Sequence, residues 1–478
     1  MRLLSIFKPL AFILLFLAIF MMIPCIMALK MGEHSVFYAF LIVSCVTLFS
    51  SLIFIYVVRN MRIHRLATRE SFILVSLCWL AISLVSAVPP YVSGAIPNFA
   101  SAFFEMTSGF STTGATILTS IETMPKSIIF WRCFAHWIGG MGIVVLAVAI
   151  MPILGVGGMQ LIKAEAPGPT VDKLSPRISE TAKYLWGIYV GLTAIEIMLL
   201  RLGGMDYFDA IVHSFSTIAT GGFSSRDASI AAYNSPFIEW IITIFMFIAG
   251  INFTVHYRIV IGKTVNIFKN SELLAYFAIA IAATILISLN LSIEASHPLG
   301  LSIREAAFHS TSILTTTGFS TTNHNNWPFF SRFIIFLLMC TGACSGSTSG
   351  GIKIIRIVLL FKLAVNELKY LVHPKAVLPI FLDGKTLKKD MIYPISAFVF
   401  LYAALVLATG AFCAIGGINP ETSLLVSLSM VGNIGLGPFE NYAFTPDWLK
   451  WVMSFAMIVG RLEVFTVMVI FTRSFWKD

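Results

Sequence analysis

Ten stretches of this sequence are apolar over a length that can cross a lipid bilayer, and that constrains the fold more than any other feature. They run over about 7–29, 36–58, 71–93, 128–152, 184–202, 236–260, 272–291, 330–361, 391–413 and 447–472. A helix needs about 20 such residues, because inside the hydrocarbon every backbone N–H and C=O must be satisfied within the chain. Hydrophobic residues make up 58% of the chain and charged residues 12%, too few charges to wet a soluble protein of this size. The expectation is an all-α integral membrane protein with about ten transmembrane helices. The run from Phe7 spans, and no small-residue cleavage site follows it, so it reads as a retained first helix rather than a signal peptide.

The net charge of +9 therefore bears on orientation, and no nucleic-acid partner is expected. Lys and Arg concentrate in segments 1–8, 59–70, 154–183, 258–270, 353–390 and 473–478, while the alternate segments are net acidic. The positive-inside rule puts the basic segments, and with them both termini, in the cytoplasm. None of these segments is long enough for a nucleotide-binding domain, so any such regulation has to come from another chain. The seven cysteines read as reduced small hydrophobes; Cys340 and Cys344 would share one face of a continuous helix.

Shorter apolar pieces near 100–111, 207–219, 303–316 and 421–432 cannot span and read as re-entrant segments. Each leads into a small polar run with glycine. His213-Ser-Phe-Ser-Thr-Ile-Ala-Thr-Gly-Gly-Phe-Ser224 aligns without a gap with His309-Ser-Thr-Ser-Ile-Leu-Thr-Thr-Thr-Gly-Phe-Ser320. Glu105-Met-Thr-Ser-Gly-Phe-Ser-Thr-Thr-Gly-Ala115 falls in the same register, and Ser427-Leu-Ser-Met-Val-Gly-Asn-Ile-Gly435 is a divergent fourth copy. The loop glycines Gly114, Gly222, Gly318 and Gly435 recur at intervals of about a hundred residues. A second aligned glycine follows each, at Gly140, Gly250, Gly342 and Gly460. The repeat is span, short piece, loop, span, so all four loops enter from outside with one polarity. The expected boundaries are 66–160, 161–262, 263–362 and 363–478, with two extra N-terminal helices in 1–65.

Four such loops around an axis can replace the water shell of an ion with backbone carbonyls. Glycine permits the positive φ that aims successive carbonyls inward, and the short side chains before it leave the axis narrow and can brace the loop. The candidate ion-binding residues are Thr112, Thr113 and Gly114; Thr220, Gly221 and Gly222; Thr316, Thr317 and Gly318; and Asn433, Ile434 and Gly435.

On these motifs the chain resembles the potassium-translocating subunits of the Trk/Ktr/HKT superfamily, and its two extra first spans resemble the TrkH/TrkG branch. The resemblance covers essentially the whole chain. It implies four pore loops in fourfold pseudosymmetry forming a potassium selectivity filter, potassium as substrate with no cofactor, and no enzymatic activity. It also implies a homodimer in the bacterial inner membrane and a cytosolic TrkA-like, NAD/ATP-binding regulatory subunit. Gly221 at the middle position of loop two, and Asn433 in place of threonine, make the ring unequal.

Thr341-Gly-Ala-Cys-Ser-Gly-Ser-Thr-Ser-Gly-Gly351 interrupts the second span of repeat three with small residues that cannot form a stiff helix. It lacks the Gly-Lys-Ser/Thr of a phosphate-binding loop and has no strand before it for a nucleophile elbow. Close helix packing through small residues is the alternative. The resemblance implies an intramembrane gate, with Gly342, Ser345, Gly346, Ser347, Gly350 and Gly351 as its residues. Arg461, one position after Gly460, is expected to face the interior below the filter and repel cations, or else to form an interhelical ion pair. Glu463 lies about 200° around the helix from it and needs another partner, Lys353 or Arg356 being available. His213 and His309 read as helix-start caps or packing residues, and Glu196 as an isolated acid within a span. The rival reading is a proton- or sodium-coupled cation symporter, which needs a coupling acid; Glu463 is the only candidate in the repeat cores.

Overall fold

The short and long apolar runs both become helices, and their breaks, more than their lengths, determine the architecture. In a computed structural model, residues 3–59, 67–142, 178–262, 269–376, 378–386 and 393–476 are described. Helices α1 (Leu3–Met31) and α2 (His34–Val57) come first. The first repeat follows as α3 (Thr68–Val92), the short α4 (Phe99–Phe110) and α5 (Lys126–Gly140). The second is α6 (Ile178–Leu202), the short α7 (Tyr207–Ile218), α8 (Pro236–Ala249) and α9 (Phe253–Val260). The third is α10 (Ser271–Glu294), α11 (Leu299–Leu314), α12 (Phe329–Met339) and α13 (Ile354–Val372). The fourth is α14 (Tyr393–Ile415), α15 (Pro420–Gly432), α16 (Asp447–Arg461) and α17 (Phe465–Met468), before a last turn α18 (Arg473–Trp476).

Among the described residues six helices are long and apolar enough to cross a membrane, or up to eight if each bent pair is one span. Sequence suggested continuous second spans except in repeat three. The structure corrects this. The α8–α9 pair bends by 97° and the pair that begins with α16 by 109°. In repeat three α12 ends at Met339 and helix resumes only at Ile354. In repeat one α5 ends at Gly140, and residues 143–177 lie outside the described set, together with most of the 154–183 segment. The breaks have local causes. Asn252 caps α9 by accepting from the Thr254 N–H at 2.8 Å. Glu463 and Val464 adopt φ of 55° and 51°, which no helix continues through. Cys344 therefore lies in a loop and shares no helix face with Cys340, and all seven cysteines are free.

The four quadrants interlock in cyclic order. Helix α5 packs on the short helix α7 of the next repeat, α8 on α11, α12 on α15, and α16 on α4, which closes the circle. Helices α1 and α2 stand outside it, α1 packing on α3 and α5. Close approach fixes where each second helix must turn. A Cβ on Gly139 would overlap the carbonyl of Phe110 in its own repeat, and one on Gly460 would overlap that of Val431 at the matching position. Gly140 and Gly250 instead press on Ala219 and Thr315 of the following repeat. By these contacts the counterpart of Gly140 and Gly250 in repeat four is Arg461, one residue later than the sequence alignment indicates. The basic segment 353–390 is also more ordered than a loop. It holds the whole of α13 and a two-stranded hairpin, Phe381–Leu382 with Lys385–Thr386, closed by the turn Asp383-Gly384.

Candidate functional site

All four short helices end in the same way at the centre of the molecule. The residue after the last turn is left-handed: Thr112 (φ 55°), Thr220 (53°), Thr316 (57°) and Asn433 (55°). The next N–H returns to a serine carbonyl in its helix: Thr113 to Ser108 at 2.9 Å, Gly221 to Ser216 at 2.8 Å, Thr317 to Ser312 at 2.8 Å and Ile434 to Ser429 at 2.9 Å. This is the Schellman closure, which usually places glycine or asparagine at the left-handed position. Three of the four loops use threonine there, at a cost of about 1–3 kcal/mol each that surrounding contacts must offset. Sequence reasoning assigned the positive φ to the glycines alone; β-branched threonines give no sequence signal for it.

The glycines that follow are left-handed too, at 83°, 83°, 82° and 78° for Gly114, Gly222, Gly318 and Gly435. A Cβ on Gly114 would overlap the carbonyl oxygen of Gly221, one on Gly222 that of Thr317, one on Gly318 that of Ile434, and one on Gly435 that of Thr113. Each glycine thus abuts the carbonyl of the next loop in the order one, two, three, four, one. All twelve residues singled out from the sequence are brought together in this ring. Hydroxyls brace it, Ser111 Oγ to Thr113 Oγ1 at 2.7 Å and Thr315 Oγ1 to Thr317 Oγ1 at 2.8 Å. The Asn433 amide donates to Thr113 Oγ1 and to the Met457 carbonyl, both at 2.9 Å, tying loop four to loop one. His136 of α5, unremarked in the sequence, receives the Phe223 N–H at 3.2 Å and so holds the residue after Gly222.

The small-residue loop of repeat three crosses directly beneath. Thr316 Oγ1 accepts from the Gly350 N–H at 2.8 Å, and Thr220 Oγ1 lies 3.3 Å from Thr348 Oγ1. Two of the three left-handed threonines, Thr220 and Thr316, are thus held from below by this loop. Gly346 accepts from the Phe253 N–H at 3.0 Å, and Cys344 donates to the Gly250 carbonyl at 3.1 Å, both at the break of repeat two. Gly342 donates to Ile352 O at 2.7 Å, and Ser347 Oγ to Cys344 O at 2.6 Å, which curls the loop on itself. A Cβ on Gly351 would press on the Thr341 carbonyl. Glu272, at the start of α10, accepts from the Ser345 N–H at 2.6 Å and the Ile355 N–H at 3.2 Å, pinning the middle of the loop to the first turn of α13. Its position in an otherwise ordinary first turn disguised that role.

Arg461 turns inward, as expected. Its guanidinium donates to Thr112 Oγ1 at 3.1 Å, the Thr348 carbonyl at 2.7 Å, Gly139 O at 2.7 Å and Gly140 O at 3.0 Å. It links loop one, the repeat-three loop and the end of α5 in one cluster. A cavity beneath the ring is lined by Gly140, Thr348, Gly350, Lys353, Arg461 and Glu463. Glu463 pairs with Arg356, whose guanidinium also sits 3.9 Å over the Phe398 ring, while the buried Lys353 donates to Ser349 Oγ at 3.0 Å. Glu196 is fully buried beside Thr217 of α7. His213 and His309 lie within α7 and α11 and not at their starts, which corrects the capping role.

A multi-pass helical membrane protein in which four re-entrant loops close on one axis, above a loop and an inward arginine, defines a class with a central pore-like core. Residues 35–477 match the TrkH family, described as cation transport protein. The chain is 41% identical over 421 residues to the Trk system potassium uptake protein TrkH of Escherichia coli K12, covering 86% of this chain and 87% of that one. It is 36% identical over 488 residues to the protein of the same name from Halomonas elongata, covering 100% of both. It superimposes on the crystal structure of the potassium transporter TrkH from Vibrio parahaemolyticus with a TM-score of 0.89 and 35% identity over 100% of each chain. This chain belongs to the TrkH family of cation transport proteins.

Proposed function

We propose that this chain takes up potassium across the bacterial inner membrane, with the four-loop ring as selectivity filter and the 341–351 loop with Arg461 as gate. The observation that carries the reading is the cyclic apposition of each loop glycine with the next loop's carbonyl. That pattern supports four loops closed on one another with their carbonyls in register, and a ring of backbone oxygens is what a dehydrated monovalent cation needs. The quadrants at 66–160, 161–262, 263–362 and 363–478 each contribute one loop, and residues 1–65 lie outside. Both termini face the cytoplasm. The basic segments 154–183 and 353–390 form the docking face for a cytosolic NAD/ATP-binding regulatory subunit of TrkA type, and two copies of the chain form a homodimer with one pore each.

The symporter reading is weaker for a specific reason. Its one candidate coupling acid, Glu463, is engaged by Arg356. Uptake of rubidium-86 into proteoliposomes, competed by potassium and by sodium with and without a pH gradient, separates the two. Uptake that follows the potassium gradient and ignores pH supports the filter-and-gate reading; strict dependence on a proton or sodium gradient overturns it.

The gate assignment makes a further prediction through Glu272. Its two backbone hydrogen bonds to a carboxylate are each worth about 1.5–3 kcal/mol. Glu272→Ala is expected to raise regulator-independent rubidium leak by roughly tenfold, the response to losing about one such bond. An unchanged leak at equal incorporation would show that the loop closes without this clamp.

A further inference from the structure

Nine residues before each ring glycine stand Glu105, His213, His309 and Val426, one in each short helix. The first three reach behind the ring to its outer mouth. Glu105 accepts from Thr116 Oγ1 at 2.9 Å and from the Ile117 N–H at 2.8 Å. Its carboxylate is held in turn by Arg132 Nε at 2.6 Å, and that guanidinium lies 4.1 Å over Phe223 of loop two. His213 Nδ1 lies 2.7 Å from the Asp209 carbonyl, which can only accept. Its Nε2 is therefore the acceptor for Ser224 Oγ at 2.9 Å. His309 Nε2 accepts from the Thr321 N–H at 3.4 Å, with Thr322 Oγ1 also at 3.4 Å. All three side chains are fully buried.

In each case an acceptor on the short helix meets a donor two or three residues beyond the ring glycine. Repeat four lacks both halves of the arrangement. Val426 offers no polar atom, and the matching mouth residues are Gly437, without a side chain, and Pro438, without an N–H. Packing alone would not make acceptor and donor appear together in three quadrants and vanish together in the fourth.

We propose that Glu105, His213 and His309 are positioning residues for ion selection. Each is a strut that fixes the outer mouth of its loop from its own short helix; loop four has no such strut and is tied instead to loop one, by the Asn433 amide on Thr113 and by the Tyr442 N–H on the Thr116 carbonyl at 2.8 Å. Chemically different acceptors serve because the requirement is an acceptor at that reach, not a charge. The proposal rests on the ring being the filter, and the test is arranged to separate the two.

The full-length protein in proteoliposomes is assayed for rubidium-86 uptake competed by potassium and by sodium. His213→Leu and His309→Leu are expected to lower the potassium-over-sodium preference by roughly three- to tenfold, the ratio that one lost neutral hydrogen bond gives. His213→Gln and His309→Gln, which keep an acceptor at similar reach, are expected to restore it. Ser224→Ala and Thr116→Val remove the mouth end with little change in volume and are expected to act in the same direction. They decide the matter if the leucine variants do not incorporate. An unchanged preference in Ser224→Ala and Thr116→Val, or glutamine variants as impaired as the leucine ones, overturns the struts. Gly318→Ser is run in parallel. If it collapses the preference while the strut variants do not, only the struts fail; if it too leaves the preference intact, the filter reading itself fails.

Discussion

Gly318→Ser is expected to abolish most of the discrimination between potassium and sodium while leaving the protein in the membrane. Two constraints meet at this residue. Its φ of 82° lies where a side chain is disfavoured by roughly 1–2 kcal/mol. Its missing Cβ is also the space taken by the Ile434 carbonyl oxygen of the next loop. A serine there has to push that carbonyl out of the ring, because the backbone behind Ile434 is tied to Ser429 at 2.9 Å and cannot retreat as a unit. One oxygen of the proposed coordination shell is then misplaced. A larger effect is expected than from Gly221→Ala, since Gly221 faces the His136 ring and not a carbonyl of the ring. The measurement is the ratio of potassium to sodium competition against rubidium-86 uptake. A ratio within about twofold of the parent, where a tenfold fall corresponds to about 1.4 kcal/mol, would refute the filter assignment.

The second large effect is expected at Arg461. Arg461→Ala should raise passive rubidium flux by at least about tenfold in the absence of any regulator, since each charge-assisted hydrogen bond it makes is worth about 1.5–3 kcal/mol. The guanidinium acts in two ways. It places a positive charge beside the cavity under the ring, which disfavours a cation there. It also ties Thr112 of loop one to the Thr348 carbonyl of the loop below and to the carbonyls of Gly139 and Gly140. Arg461→Lys separates the two contributions: it keeps the charge but loses the planar fork that reaches several carbonyls at once. A leak in lysine close to that in alanine assigns the barrier to the tethers, and a leak close to the parent assigns it to the charge. Unchanged or lower flux in Arg461→Ala at equal incorporation would remove Arg461 from the gate.

The alignment of the loops was legible because the chain repeats itself. His213 to Ser224 and His309 to Ser320 carry the same residues at the same register, and Gly114 and Gly435 fall into place beside them. The inward direction of Arg461 was legible from the cost of a charge at mid-span. What was not legible depends on contacts far apart in sequence. Thr112, Thr220 and Thr316 adopt left-handed backbone against their own preference because the loop and Arg461 hold their hydroxyls from below. Glu272 clamps that loop across more than seventy residues, so no local pattern marks it. The partner of Glu463 was narrowed to two cations, and Arg356 is the one that pairs with it.

By itself the sequence determined that lipid solvates this chain, that one loop motif occurs four times along it, and that a glycine-rich break lies in repeat three. These follow from hydropathy, charge and self-similarity, which are properties of segments. Only the tertiary structure decided that second helices break in repeats two and four as well, that Arg461 takes the place held by Gly140 and Gly250, and that three quadrants are braced from behind while the fourth is not. Those outcomes arise where one quadrant presses on the next. The shape left by a neighbour, not local propensity, sets which residue can turn, where a side chain can point and which donor meets which acceptor.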